Sequence, residues 1–382
     1  MTHERQINRE QGWIKGPFVD LFFFSFGWVL ALAAFFIVDQ TELKAQSRNI
    51  ILISILLFSF LHRHLTFPLV YGDPEQFRLR KKAYIFFPVF FLALTLFAIF
   101  YTPAGAGRGF YAARPLLLFL VVVSVLWNIY HTIMQKVGIL RIYSRKSACG
   151  KSWVDKALLF AWLIFVFLQL GNDAEVRRQA AGLSHAGKMF GKFLELFLSA
   201  LPFLSALALI VALWITFLYL REEYRHREQF HWPKNLFVLS VLSLYAAFWY
   251  DLLAGYAVFG FSHAIEYLAF VYIYAGKKFM QRPVESSWMA RAARRQGLAM
   301  GLYCLVFMTA FLLWRLNSVL TLGLYILGSS FLHFLYDGWI WKVRDPKVGS
   351  PLGIHYGSSD AAADRGGLTS PLGQPTPVSS VS

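Results

Sequence analysis

Five histidines lie inside long apolar runs of this 382-residue chain: His62, His64, His131, His263 and His333. An imidazole can ligate a metal, carry a proton or make a hydrogen bond, and in hydrocarbon each role must offset the desolvation of a polar ring. Carboxylates stand beside two of them. "SHAIEY" sets Glu266 three residues after His263, and "HFLYDGW" sets Asp337 four after His333; both spacings share one helix face. "WNIYHTIMQK" adds Asn128 before His131 and Gln135 after it. Imidazole with carboxylate suits iron, zinc or manganese, the carboxylate either binding the ion or orienting a ligating ring.

"HRH" is the awkward part of the set. Residues two apart point about 200° from one another on a helix, so His62 and His64 share one site only if the helix distorts. Pro68, which cannot bond the carbonyl of His64, offers a place for that. Arg63 reads most simply as a side chain snorkelling to the membrane surface. His3, His185, His226, His231 and His355 fall in polar stretches where water satisfies the ring.

The elements that position these residues are membrane helices. The chain is 57% hydrophobic, 18% aromatic and only 15% charged, which excludes an ordinary soluble domain. Runs such as "PLLLFLVVVSVLW" are apolar all round, whereas a soluble helix needs one apolar face. Runs of membrane length fall near 16–38, 49–71, 83–101, 113–134, 154–171, 195–220, 235–252, 255–276, 297–316 and 318–342, with "YDLLAG" as the turn between the seventh and eighth. The first run is too long for a signal peptide and is expected to stay as a helix. Cys149 and Cys304 imply no disulfide framework.

In a soluble protein a net charge of +16 would suggest nucleic acid; here the positive-inside bias explains it and no nucleic acid is expected. With the N-terminus inside, the inner segments carry 27 Lys and Arg and the outer ones 9. The expectation is an all-α, polytopic integral membrane bundle of about ten transmembrane helices, both termini cytoplasmic, multi-pass in the cell inner membrane. Residues 1–348 form the transmembrane domain and 349–382, rich in Gly, Ser, Pro and Ala, a disordered cytoplasmic tail. In this register the four helices that carry the five histidines all run inward. The histidines occupy the middle or the cytoplasmic half, which argues for one shared site.

The intramembrane histidines of the second, fourth, eighth and tenth runs resemble those of histidine-rich integral membrane oxygenases, nearest the bacterial β-carotene 15,15′-dioxygenase family. The resemblance covers the multi-helix layout; this sequence has more helices and shows "HRH", "HAIE" and "HFLYD" where that family suggests an HxxxH pair. It implies non-haem iron, oxygen and an apolar small-molecule or lipid substrate, with ligand roles for His62 or His64, His131, His263 and His333. The expected function is a membrane-embedded, iron-dependent oxidoreductase acting on a lipid-soluble substrate, with Glu266 and Asp337 as its working carboxylates. The alternative is a transporter or channel using the same groups as a proton or ion relay. A b-type haem protein, which needs two histidines, comes third.

Overall fold

The structure, a computed structural model, describes residues 12–102, 114–182, 188–283, 287–342 and 345–354, and among these there is no strand. Each apolar run of the sequence falls on a long helix. We label them α1 (Pro17–Phe26 and Trp28–Val38), α2 (Lys44–Tyr71), α3 (Lys81–Phe100), α4 (Pro115–Lys146), α5 (Ser152–Leu170), α6 (Leu194–Arg225), α7 (Trp232–Tyr250), α8 (Leu252–Met280), α9 (Gln296–Asn317) and α10 (Val319–Ile340). Eight of them, α2–α6 and α8–α10, are long and apolar enough to cross a membrane, and α1 joins them if its halves, bent by 52°, count as one span. The chain is a multi-pass, all-helical membrane protein.

The bend in α1 falls at Gly27, where a Cβ would strike the carbonyl of Phe22 and lie 2.9 Å from Ile265 on α8. Before it the chain is wound as a π-helix over Asp20–Phe26. Asp20 accepts hydrogen bonds from the backbone N–H groups of Ile14, Lys15 and Gly16 and from Tyr143 Oη on α4. The chain direction reverses between α7 and α8 at the "YDLLAG" turn, where the Asp251 carboxylate caps α8 by accepting from Ala254 N at 2.7 Å.

Burial divides the helices by role. The most apolar window of α8 is 67% buried, whereas that of α9 is 6% buried and that of α6 17%. α8 is thus the centre of the bundle, and α6 and α9 present Leu, Val and Phe to lipid. Small residues let neighbours approach α8 closely: Gly255 rests on the backbone of Ala247 and Phe248 in α7.

Four helices run in the same direction. Contacts between α2 and α8 advance in step, Phe58 with Phe261, His62 with His263 and Thr66 with Tyr267. So do Asn128 with Tyr256 and Gln135 with Glu266 between α4 and α8, and Phe60 with Tyr325 and Thr66 with Asp337 between α2 and α10. α2, α4, α8 and α10 are therefore mutually parallel, and they are the four that carry the intramembrane histidines.

Two expected boundaries move. The apolar pattern ends near residue 134, but α4 continues to Lys146, so Lys136 lies on the helix and is 1% exposed rather than in a loop. At the other end, short helical turns over Pro346–Gly349 and Ser350–Leu352 bring Leu352 and Ile354 into the core. Residues 349–354 of the expected tail are thus packed, and 355–382 lie outside the described residues.

Candidate metal centre

His62 on α2, His131 on α4, His263 on α8 and His333 on α10 meet in the middle of the bundle. The ring centres of His62 and His131 each lie 4.8–4.9 Å from those of His263 and His333. Those of His263 and His333 are 6.1 Å apart. Four near-equal sides with a longer diagonal describe a quadrilateral; in a tetrahedron all six separations would be equal. Nitrogen atoms of His62, His263 and His333 lie within 4.8 Å of one another, as do donor atoms of His131, His333 and Asp337.

One turn further along each helix stands a polar partner: Thr66, Gln135, Tyr267 and Asp337, each four residues after its histidine. Asp337 Oδ1 accepts from Thr66 Oγ1 at 2.9 Å and from Tyr267 Oη at 2.8 Å. Because the Thr66 proton is committed to Asp337, its oxygen is the acceptor for His333 Nδ1, 2.7 Å away. That bond puts the ring proton of His333 on Nδ1 and leaves the Nε2 lone pair facing the cluster. His62 is held the same way, its Nδ1 donating to Phe58 O at 3.3 Å.

Five buried atoms here have no hydrogen-bond partner among the described residues: His131 Nε2, both ring nitrogens of His263, His333 Nε2 and Asp337 Oδ2. Leaving one such atom unpaired costs about 1–3 kcal/mol. Asp337 Oδ2 stands 3.7 Å from His131 Nε2 and 3.8 Å from His333 Nδ1, beyond hydrogen-bond range of either. Lone pairs from neutral imidazoles and one carboxylate oxygen, gathered in a buried interior, are a donor set that could hold a divalent cation.

The other expected residues are placed differently. His64 turns to the opposite side of α2, its Nδ1 2.6 Å from Phe60 O and its Nε2 2.5 Å from Tyr325 Oη, with the Phe307 ring beside it. The helix breaks only after it, at Leu65, whose N–H bonds His62 O. Glu266 faces away from the rings. It pairs with Lys136 and accepts from Ser262 Oγ at 2.8 Å and from Gln135 Nε2 at 3.0 Å; Gln135 also donates to the carbonyl of His263. Lys136 and Glu266 are each 1% exposed, and an ion pair so deep is tolerable only because Ser262 and Gln135 complete its hydrogen bonds.

Arg63 does not snorkel. It is 6% exposed and directs its guanidinium between α2 and α10, where it donates to Ile326 O at 3.3 Å, Ser59 Oγ at 3.4 Å and Ser329 Oγ at 3.5 Å. Outside the membrane helices, His226 is exposed as expected, but His231 is half-buried. Its Nδ1 accepts from Lys234 N, and burial, with the Lys234 ammonium adding to it, pushes its pKa down to about 4.

Thr66, Tyr267 and Lys136 escaped the sequence reading. The first two carried a signal, the four-residue spacing already used for Asp337. Lys136 did not, because a lysine at the end of an apolar run is what a cytoplasmic loop also looks like.

Comparison of the chain with protein-family models, with curated proteins and with solved structures finds no match. The reading of this centre therefore stands on its own atoms.

Proposed function

We propose that this chain is an inner-membrane metalloenzyme of about ten crossings with both termini cytoplasmic, in which the four-histidine centre holds non-haem iron and oxidises a lipid-soluble substrate. The observation that carries the reading is the gathering of unpaired buried atoms of His131, His263, His333 and Asp337 from three parallel helices. Within it His62, His263 and His333, and likewise His131, His333 and Asp337, offer donor atoms within 4.8 Å of one another. Four imidazoles and a carboxylate exceed the four ligands of a structural zinc, and this donor set would suit non-haem iron, which needs positions for oxygen and substrate as well. His62, His131, His263 and His333 would ligate through neutral imidazoles, and Asp337 would ligate or hold a proton at Oδ2. Thr66 and Tyr267 fix Asp337, and Gln135 ties Glu266 to the backbone of His263. Bound iron would supply oxygen activation; the chain supplies ligand orientation and exclusion of water. The histidine-rich membrane oxygenases, the β-carotene dioxygenases among them, remain the resemblance that fits this chemistry.

Elemental analysis of the purified protein tests the reading. It expects stoichiometric iron and an optical spectrum without haem bands. A preparation free of metal, or one with a haem spectrum, overturns it.

A transporter using these groups as a relay is favoured by two features, the bent α1 and the buried Lys136–Glu266 pair. That reading expects proton or ion flux in reconstituted vesicles from protein that carries no stoichiometric metal.

A further inference from the structure

Among the described residues, the buried cation Arg63 has no carboxylate paired with it. Its three hydrogen bonds all go to uncharged oxygens at 3.3 Å or more, and its Nε has no partner. A guanidinium has five N–H donors in a planar fork, and a buried charge left uncompensated is strongly unfavourable. An arginine placed like this is poised for an anion that comes from outside the protein.

Its surroundings form a second storey of the site. Ser59 lies three residues before His62, Asn128 three before His131, Tyr256 seven before His263 and Ser329 four before His333. Each spacing keeps the residue on its histidine's face. The four helices are parallel, so all four residues fall on the same side of the rings, about 5–10 Å away. Arg63 bonds Ser59 and Ser329, and Asn128 Nδ2 donates to Tyr256 Oη at 3.0 Å. Tyr256 also lines a cleft of about 1550 Å³ between α4, α5, α6 and the α7–α8 turn, whose wall joins apolar residues such as Val125, Ile129, Phe165 and Leu209 to a polar end at Asn172, Asp173, Glu175 and Asp251. A cleft with apolar walls, a phenol among them, and on the storey of that phenol a guanidinium with an unpaired Nε beside the histidines are the elements a site for an amphiphile needs.

We propose that Arg63 is the receptor for a carboxylate, and that the substrate class of this site is the long-chain fatty acid, its tail in the cleft and its first carbons beside the histidines. One guanidinium matches a monoanion, and a planar fork matches a carboxylate. The substrate assignment rests on the metalloenzyme reading; the binding site does not.

The test uses the detergent-purified full chain and two probes, palmitate and methyl palmitate, followed by calorimetric titration and thermal unfolding, before and after chelation. Palmitate should bind and raise Tm, and methyl palmitate, with the same tail and no charge, should do neither. Arg63→Gln should weaken palmitate binding about 30-fold or more, while its own Tm without ligand equals or exceeds that of wild type, because it removes an uncompensated charge. Equal binding of the acid and the ester, undiminished palmitate binding by Arg63→Gln, or a variant too unstable to fold each overturns the proposal. The two readings separate cleanly. Palmitate binding by a protein that holds no iron keeps the receptor and removes the oxygenase, whereas iron without palmitate binding does the reverse.

Discussion

Thr66 and His333 stand 267 residues apart in the chain and share a hydrogen bond of 2.7 Å in the middle of the bundle. The bond decides which nitrogen of His333 faces the cluster. Thr66→Val preserves shape and removes the acceptor, so the ring is free to turn. Metal affinity should fall about 10–100-fold, measured by competition with a chromogenic chelator, with little change in expression. An unchanged affinity would show that the tautomer of His333 is set by something else.

The two histidines of "HRH" should separate in behaviour. His131→Ala, His263→Ala and His333→Ala should each strip most of the metal, and so should His62→Ala. His64→Ala should keep it and instead lose stability, about 1–3 kcal/mol for the polar partners it abandons, since its hydrogen bonds among the described residues go to Phe60 O and Tyr325 Oη. Metal loss from His64→Ala equal to that from His62→Ala would contradict the facing seen here.

Lys136 and Glu266 should behave as a pair. Lys136→Met leaves a carboxylate buried and unpaired, a change that costs about 3–5 kcal/mol. The double variant with Glu266→Leu should recover much of that loss in thermal unfolding. If the double variant is no better than Lys136→Met alone, the two residues are not coupled.

Stability should fall in acid through Asp73. This carboxylate, fully buried at the link between α2 and α3, lies 3.0 Å from Lys278 Nζ and 2.9 Å from Arg282 Nη1. Burial opposes its ionisation, but Lys278 and Arg282 outweigh burial and hold its pKa below the ordinary 3.8. A group depressed on folding stabilises the native state above its unfolded pKa and loses that contribution as pH falls through its folded one. The gap in Tm between wild type and Asp73→Asn should therefore be full at pH 7 and close as the pH drops below about 4. A gap independent of pH would mean that the carboxylate's charge is not what ties α8 to this link.

How much of this could be read in advance follows from the physics of each element. Long apolar stretches have few options in a bilayer, so the helices were legible. The spacing of Glu266 from His263 and of Asp337 from His333 was legible too, because helical period belongs to one segment. Partner choice across helices was not. Glu266 could have turned to the rings or to Lys136, and only packing decides; Arg63 could have reached the surface, and the groove beside Ser329 takes it instead. The choice between His62 and His64 required knowing which side of α2 meets α8.

The position of α10 has a consequence for biogenesis. It is the last long helix of the described chain, and it brings both His333 and Asp337. While a ribosome is still making it, His62, His131 and His263 are already in the membrane without the side chains that complete their cluster. Under the metalloenzyme reading, a nascent or truncated chain that stops before residue 333 would insert most of its helices and hold metal weakly. Metal loading would in this way be a checkpoint for completed synthesis.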